Sequence, residues 1–490
     1  MAAGAGRHRD EPVKRNALTA VVAAAAGLLL LTALALPFWF GLRAEKSYLA
    51  LLAQLSRRSG LQFTSAHYER GWFSSTAETV IRHPQIPIEL IARHRISHGP
   101  FPVDRILAGD WQFTPVQARI TSQIVLNAPA GQNAPDLPPL NTETTFELNG
   151  DGALHAGMAP IRKTGAQGQV IDWSGFGGDI RFDREWKKIR FEVRIPALTL
   201  GTPGRAGGLS LSKLALRSDL REGVAGYLFG DSALSVGQLQ FGAAGGPLDV
   251  NGLEISGSVR PAGENLDLML RFRVEAVRAA DEHFGPGDLT IEARHLDTAA
   301  LVKFKNEVDA VYRGNPPPAQ AALMMAGKAM ELIAALSRRA PELEITKLSF
   351  KTRQGEITGK AKFVLDGRKF NAAQNPLQLL MALSGQGELA IPAPVLKQML
   401  TPAIRRDVEA YQRSGALTPQ DMARLTPQAM GEIVDRAFPQ YLSRNGFTRY
   451  FVDDGGLYKM VVSIRRGQLL VNGQPWHAPV SPLARIDREE

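Results

Sequence analysis

The sequence predicts an α+β, mainly β protein: an N-terminal transmembrane helix leads into a large antiparallel, twisted β-sheet, groove or sandwich, with several interrupting helices. Three observations carry that class. No charged side chain occurs from Asn16 to Leu42. Apolar and polar residues alternate with period two over long stretches after residue 61, the pattern of strands with one wet face. Apolar residues at helical spacing are confined to a few stretches after residue 296.

The uncharged run exceeds the ~20 residues needed to cross ~30 Å of hydrocarbon as a helix. Arg7, Arg9, Lys14 and Arg15 precede it, and Phe38, Trp39 and Phe40 stand at its far end as an interfacial aromatic anchor. The expected layout is a cytoplasmic tail over 1–16, a transmembrane signal anchor over 17–41, a β-rich periplasmic region over 44–300 and an α+β periplasmic region over 301–490 that continues the same sheet. The competing reading is a cleaved signal peptide, because Ala33-Leu34-Ala35 has a small-x-small form. The apolar run is longer than a signal-peptide core and continues to Phe40, which favours the anchor. Ala319 to Leu336 is not expected to be a second span, since Gln320, Lys328 and Glu331 interrupt it.

Strands come first after the anchor. Ile189 to Ile195 alternates apolar with charged residues, and Leu268, Leu270, Phe272, Val274 and Ala276 alternate with Asp267, Met269, Arg271, Arg273 and Glu275. Parallel sheets, covered on both faces, seldom show this, so the sheet is expected to be antiparallel. Leu-x-apolar phrases at Leu214, Leu239, Leu253, Leu289 and Leu348 recur at irregular spacing, which predicts a meander and not a solenoid.

Leu301, Phe304 and Val308 mark a helix capped by Asp297 or Thr298, and Leu323, Met330, Ile333 and Leu336 mark another between Pro318 and Pro341. A strand pair follows from Glu344 to Leu365, with Asp366-Gly367 as its turn signal. Helical stretches near Val395–Tyr411 and Pro419–Tyr441 contain Met399, Met422 and Met430, read as core filling. The chain closes in β-structure: Tyr450 to Val452 and Leu457 to Ile464 flank Asp453-Asp454-Gly455-Gly456, and Leu469 to Val471 leads to the turn Asn472-Gly473.

Composition removes several function classes. A 44% hydrophobic and 21% charged chain is globular, which excludes global disorder and a polytopic membrane protein. Zero cysteines exclude disulfides, a thiol nucleophile and thiolate metal sites. The net charge of +9 is spread without a long basic run, so no nucleic-acid partner is expected.

Two phrases stand out: YERGWFSS, with Tyr68, Arg70, Gly71, Phe73, Ser74 and Ser75, and HGPFP, with His98, Gly99, Pro100, Phe101 and Pro102. On a strand bulged at Gly71, Tyr68 and Arg70 share one face, with Phe73 and Ser75 on another. Arg70 either grips an anionic group between aromatic walls or is tied to a carboxylate. His98-Gly99-Pro100 reads as a turn that delivers Phe101 to the core, with His98 bonded to backbone. These phrases, in this order after an anchor, resemble the YdgA-like family of bacterial proteins, a domain of unknown function. The resemblance continues through Leu253–Gly257, Gly287–Thr290 and Gly467–Gly473. It implies an inner-membrane protein with a large periplasmic domain in a Gram-negative bacterium, and it brings no catalytic residues.

No catalytic constellation is legible. His67, His83, His94 and His98 lie close in sequence, but strand geometry puts His94 and His98 about 13 Å apart and no acidic cluster is near. Gly230-Asp231-Ser232 is similar to the nucleophile tripeptide of one class of lipid esterases, yet β signals follow it, and Gln474 stands three residues before His477 where those enzymes place Asp. The expectation is a non-enzymatic inner-membrane-anchored periplasmic protein without cofactor or metal. Its expected partners are the membrane and either lipid or acyl chains along an apolar β-face, or envelope proteins. Alternatives are a homo-oligomeric interaction scaffold and a periplasmic hydrolase.

Overall fold

The computed structural model describes residues 35–56, 61–83, 86–127, 137–165, 168–201, 207–223, 226–243, 246–279, 282–314, 316–368, 381–413, 427–444, 448–465 and 467–476. Residues 17–34 of the expected anchor lie outside them, as do Met422 and His477. Two compact units result, the first holding residues up to Ile161 with Gly175–Phe191, the second Arg162–Ser174 with Glu192 onward.

In the first unit, helix α1 (35–56) precedes β1 (Gln62–Arg70), β2 (Ser74–His83), β3 (Ile86–His98), the short α2 (Val103–Leu107), β4 (Val116–Asn127), β5 (Leu140–Glu147) and β6 (Gly152–Met158). β7 (Ile161–Thr164) and β8 (Val170–Trp173) intervene before β9 (Phe176–Phe182). Strands β1 to β6 pair antiparallel in sequence order, and β9 pairs with β6. Gly71-Trp72-Phe73 is the β1–β2 turn, closed by Gly71 N donating to Ser74 O at 2.9 Å. The bulge of β1 falls between Ser65 and His67, so Gly71 bulges no strand, and Ser75 opposite Arg70 shares the face of Tyr68 and Arg70. That corrects the predicted facing: a hairpin turn returns the chain to the same face, where a bulge would have switched it.

Ala44, Tyr48 and Leu52, four residues apart, form the inner face of α1 and pack on Ala77, Ile96 and Ala118.

In the second unit, β8 pairs with the end of β10 (Lys188–Gly201). Then come β11 (Leu209–Glu222), β12 (Leu228–Ala243), β13 (Gly246–Ala262), β14 (Asn265–Val274), β15 (Ala276–Ala279), β16 (Glu282–Asp297), α3 (Thr298–Arg313) and α4 (Pro318–Ser337). They are followed by β17 (Glu342–Thr352), β18 (Gly355–Leu365), β19 (Leu383–Pro392), α5 (Ala393–Arg413), α6 (Pro427–Arg444), β20 (Val452–Asp454), β21 (Leu457–Arg465), β22 (Gln468–Val471) and β23 (Gln474–Pro475). The antiparallel order runs β11, β12, β13, β14, β16, β17, β18, β19, β21, β22, β23. The mainly β, antiparallel reading holds, and the α3–α4 pair is an excursion between two neighbouring strands.

Asp297 caps α3 by accepting from Ala300 N at 2.8 Å, as its position predicted. The β17–β18 hairpin turns at Arg353-Gln354, where the Thr352 hydroxyl accepts from Gln354 N and donates to Gly355 O. Asp366-Gly367 instead closes β18 onto the end of α4, with Gly367 N donating to Ser337 O. Asn472 and Gly473, both at positive φ, form the β22–β23 turn as expected. Tyr450 ends a 3₁₀ turn and belongs to no strand. Met399 is exposed and not core filling, because α5 turns Val395, Leu396 and Ile404 inward. Ile391, Val395, Leu396, Phe451, Met460 and Val471 form the core at the C-terminal end, with Phe438 and Leu442 of α6 against it. By length and composition α4 is long and apolar enough to cross a membrane, contrary to the sequence expectation. Its Lys328 is engaged by Glu331 and by Glu307 of α3.

Candidate functional site

Cross-strand pairing in the second unit lines up one apolar row. Leu216 faces Leu234, which faces Ile255, then Phe272, Leu289, Leu348, Gly359, Leu389 and Met460, each directly opposite the last. Directly opposite residues share a face, so the row is one stripe across nine strands. Its eight inter-strand steps cover about 38 Å, more than one acyl chain spanning half of a ~30 Å hydrocarbon layer. Only Met460, in the C-terminal core, is fully buried, and the others are half-buried. A parallel row runs through Gly257, Leu270, Ile291, Ile345, Ala361, Gly387 and Val462. Gly257, Ala361 and Gly387 leave it shallow.

The reverse face is polar and laced with ion pairs. Arg271 forks onto Asp288, Nε to Oδ1 at 3.0 Å and Nη2 to Oδ2 at 2.7 Å, and Lys347 Nζ donates to Asp288 Oδ2 at 2.8 Å. Arg271 first, with Lys347 behind it, holds the Asp288 carboxyl far below the usual carboxylate range. This face is built for water.

In the first unit the two phrases meet under α1. Ser75 Oγ lies 2.8 Å from His98 Nε2, and His98 Nδ1 donates to Trp72 O at 3.1 Å. A carbonyl only accepts, so Nε2 carries the lone pair and the Ser75 hydroxyl donates to it. This is the geometry of a serine–histidine pair, but both side chains are sealed from solvent, and burial lowers the His98 pKa. A Cβ on Gly41 would come within 2.5 Å of the His98 ring, so the absence of a side chain there lets α1 seat. Arg70 Nη1 donates to Glu45 Oε2 of α1 at 3.0 Å, the carboxylate tie that was one of its two readings. A Cβ on Gly99 would lie 1.8 Å from Val116 O, so Gly99 permits the close approach of β4. Phe101 is exposed, contrary to its expected place in the core, because the chain leaves β3 for a surface loop.

Sequence reasoning missed the partners that complete this seat. Tyr48 Oη lies 2.7 Å from Thr79 Oγ1, which lies 2.8 Å from His94 Nε2, and His94 Nδ1 lies 2.8 Å from Ser122 Oγ. Burial pushes the His94 pKa down to about 4. The available signal was the four-residue spacing of Ala44, Tyr48 and Leu52 beyond the anchor. His94 and His98 are thus each taken up by hydroxyl or carbonyl groups. Among the described residues no group of three His, Asp or Glu side chains is arranged to hold a metal ion.

Beside this seat is a cavity of about 380 Å³. Phe40 and Leu51 of α1, Ile120, Phe146 and Trp186 supply apolar walls, and Arg43 and Arg184 also line it. A lining that mixes these apolar walls with Ser47, Gln54, Gln117 and two guanidinium groups can take an amphiphile with an anionic head. Ser232, by contrast, lies mid-strand in β12 with its hydroxyl 2.6 Å from that of Ser218. It occupies no strand-to-helix turn.

Together these features define a mainly β, antiparallel protein with one half-exposed apolar sheet face and a helix seated on buried polar pairs of its N-terminal unit. The chain belongs to the family described as bacterial protein of unknown function (DUF945), whose model matches residues 17–478. It is similar to Protein YdgA of Escherichia coli (strain K12), 22% identical over 398 residues that cover 75% of this chain and 78% of that protein. The family read from the two phrases is the family found.

Proposed function

We propose that this is a non-enzymatic, single-pass protein of the bacterial inner membrane, with residues 1–16 in the cytoplasm, 17–41 as the anchor and the chain from residue 44 onward in the periplasm. The second unit's sheet holds the acyl chains of lipid or lipoprotein. The observation that carries the reading is the row from Leu216 to Met460. It is continuous, apolar and half-exposed, and it is backed by a charged reverse face. Burying such a stripe under acyl chains gains about 25 cal/mol per Å² removed from water. The uncharged run from Asn16 to Leu42, with basic residues before it, supports the location.

The test is mass spectrometry of residues 35–490, which keep all the described residues of α1, exported to the periplasm and purified without detergent. A stoichiometric phospholipid or acyl species is the expected result, and an empty protein speaks for a closed scaffold. A reporter fused after Glu490 tests the location: activity confined to the periplasm is expected, and cytoplasmic activity overturns it.

A second reading, an interaction scaffold, is favoured by α4, where Leu323, Met324, Met330 and Ile333 are exposed on one helix. Size measurement of the detergent-solubilised chain separates the two, since a strictly monomeric chain without a retained partner counts against the scaffold.

A further inference from the structure

We infer that the loop between β3 and β4, residues 99–115, rests in the interfacial layer of the bilayer that holds the anchor; the inference relies on the anchored reading above. Leu107 is 81% exposed, Trp111 71% and Phe113 60%, an unusual display of bulky apolar side chains for one loop. The Trp111 and Phe113 rings lie 6.3 Å apart.

The loop is held and does not dangle. Ser97 Oγ donates to Asp104 Oδ2 at 2.8 Å, Arg105 Nε donates to Asp110 Oδ2 at 2.9 Å, and Arg119 also pairs with Asp110. Val116 N donates to Pro100 O at 2.8 Å and fastens its end. These polar contacts face the sheet, which leaves the apolar side chains outward.

The position of the loop identifies its partner. α1 starts at the end of the sheet where β3 finishes: Gly41 abuts the His98 ring, and the Phe38 ring lies 4.9 Å from that of Trp72 in the β1–β2 turn. α1 then runs to the opposite end, where Phe63 N donates to Ser56 Oγ at 2.9 Å. The uncharged run therefore enters the unit at the end that carries the loop. Aromatic side chains suit the depth of lipid head groups, where the rings of Trp111 and Phe113 find apolar surroundings and the Trp111 N–H stays wet. The occupant of this patch is the lipid surface itself. Two contacts, the anchor and the loop, fix the tilt of the unit where a helix alone leaves it free to rotate.

The chain has no cysteine, so a single thiol can be placed at will. The full chain is reconstituted in vesicles of phosphatidylethanolamine and phosphatidylglycerol, with Leu107→Cys, Trp111→Cys or Phe113→Cys carrying an environment-sensitive nitrobenzoxadiazole label. Gln62→Cys, on an exposed residue at the opposite end of the sheet about 26 Å away along β1, is the control. The expected result is blue-shifted emission and loss of intensity with head-group-proximal brominated lipid at 107, 111 and 113, with water-like emission at 62. Water-like emission at all three loop positions, in protein that floats with the vesicles and resists carbonate, overturns the loop inference and leaves the anchor standing. Protein that does not float overturns both. The exposed Trp111→Ser and Phe113→Ser changes, made together, should leave the thermal unfolding curve in place and abolish quenching of a label at 107. Retained quenching in that variant also overturns the inference.

Discussion

In the first unit, α1 lies across the sheet and fills its face with Tyr48 and Leu52, while hydroxyl and imidazole groups pair beneath it. In the second unit an apolar face several strands wider has Phe272 and Leu289 only half-buried, and among the described residues a closed hydrophobic cluster forms at the C-terminal end, where α5 and α6 cover it. The strands of both units share antiparallel pairing and period-two alternation. What separates them is whether a helix delivers bulky residues four apart onto the face. The contrast teaches that alternation specifies which residues turn inward, and that only a covering element decides whether inward means closed.

The comparison breaks most readily at its closed end. Tyr48→Ala removes a buried aromatic and its bond to Thr79, and should cost about 3–5 kcal/mol. Phe272→Ala in the half-exposed row should cost clearly less, since less area leaves water on folding. Hydrogen exchange of the two units measures both, and equal losses would erase the distinction.

Acid sharpens it next. Burial holds His94 at about 4 in the folded unit, against about 6.5 when unfolded. The neutral ring belongs to the fold, so its stability is complete above the unfolded value, falls as pH drops from 6.5, and is fully lost below 4. The loss should reach at most about 3 kcal/mol. Asp288 in the second unit is held low by Arg271 and Lys347, so its contribution persists until pH falls below about 4. Protection factors, exchange rates corrected for the intrinsic slowing of exchange in acid, should therefore fall in the first unit between pH 7 and 5 while the β13–β17 region of the second keeps its protection.

Gly99→Ala should cost about 1–3 kcal/mol or more, because the added carbon meets backbone at Val116 and not a side chain that can turn away. Chemical denaturation reads it, and an unchanged midpoint would mean that β3 and β4 approach less closely. The smallest effect is expected from Ser232→Ala and His477→Ala, which should leave a deletion phenotype fully complemented. Loss of complementation would revive a hydrolase built on them.

Much of the second unit was legible because its information is local. Leu268, Leu270 and Phe272 alternate with charge, Asp297 is placed to cap, and Asn472-Gly473 has one comfortable conformation. The alignment of Leu216 with Met460 across nine strands was not, since register is a property of pairs and not of any one strand. In the first unit the two phrases were visible as words, but their role required the fold: Arg70 meets Glu45 of α1, His98 meets Ser75 and abuts Gly41, and Gly99 meets Val116, all contacts between residues far apart in the chain. Phe101 was misplaced for the same reason, since an apolar residue after a turn looks alike whether it enters a core or a surface loop.

The most direct measurement is photo-crosslinking in the full chain, with p-benzoylphenylalanine at Leu234 or Phe272 on the apolar row and at Ser256 or Thr290 on the reverse face. Irradiation in cells should give lipid adducts at 234 and 272 and none at 256 and 290. Adducts on both faces alike, or on neither, would contradict an acyl-binding sheet.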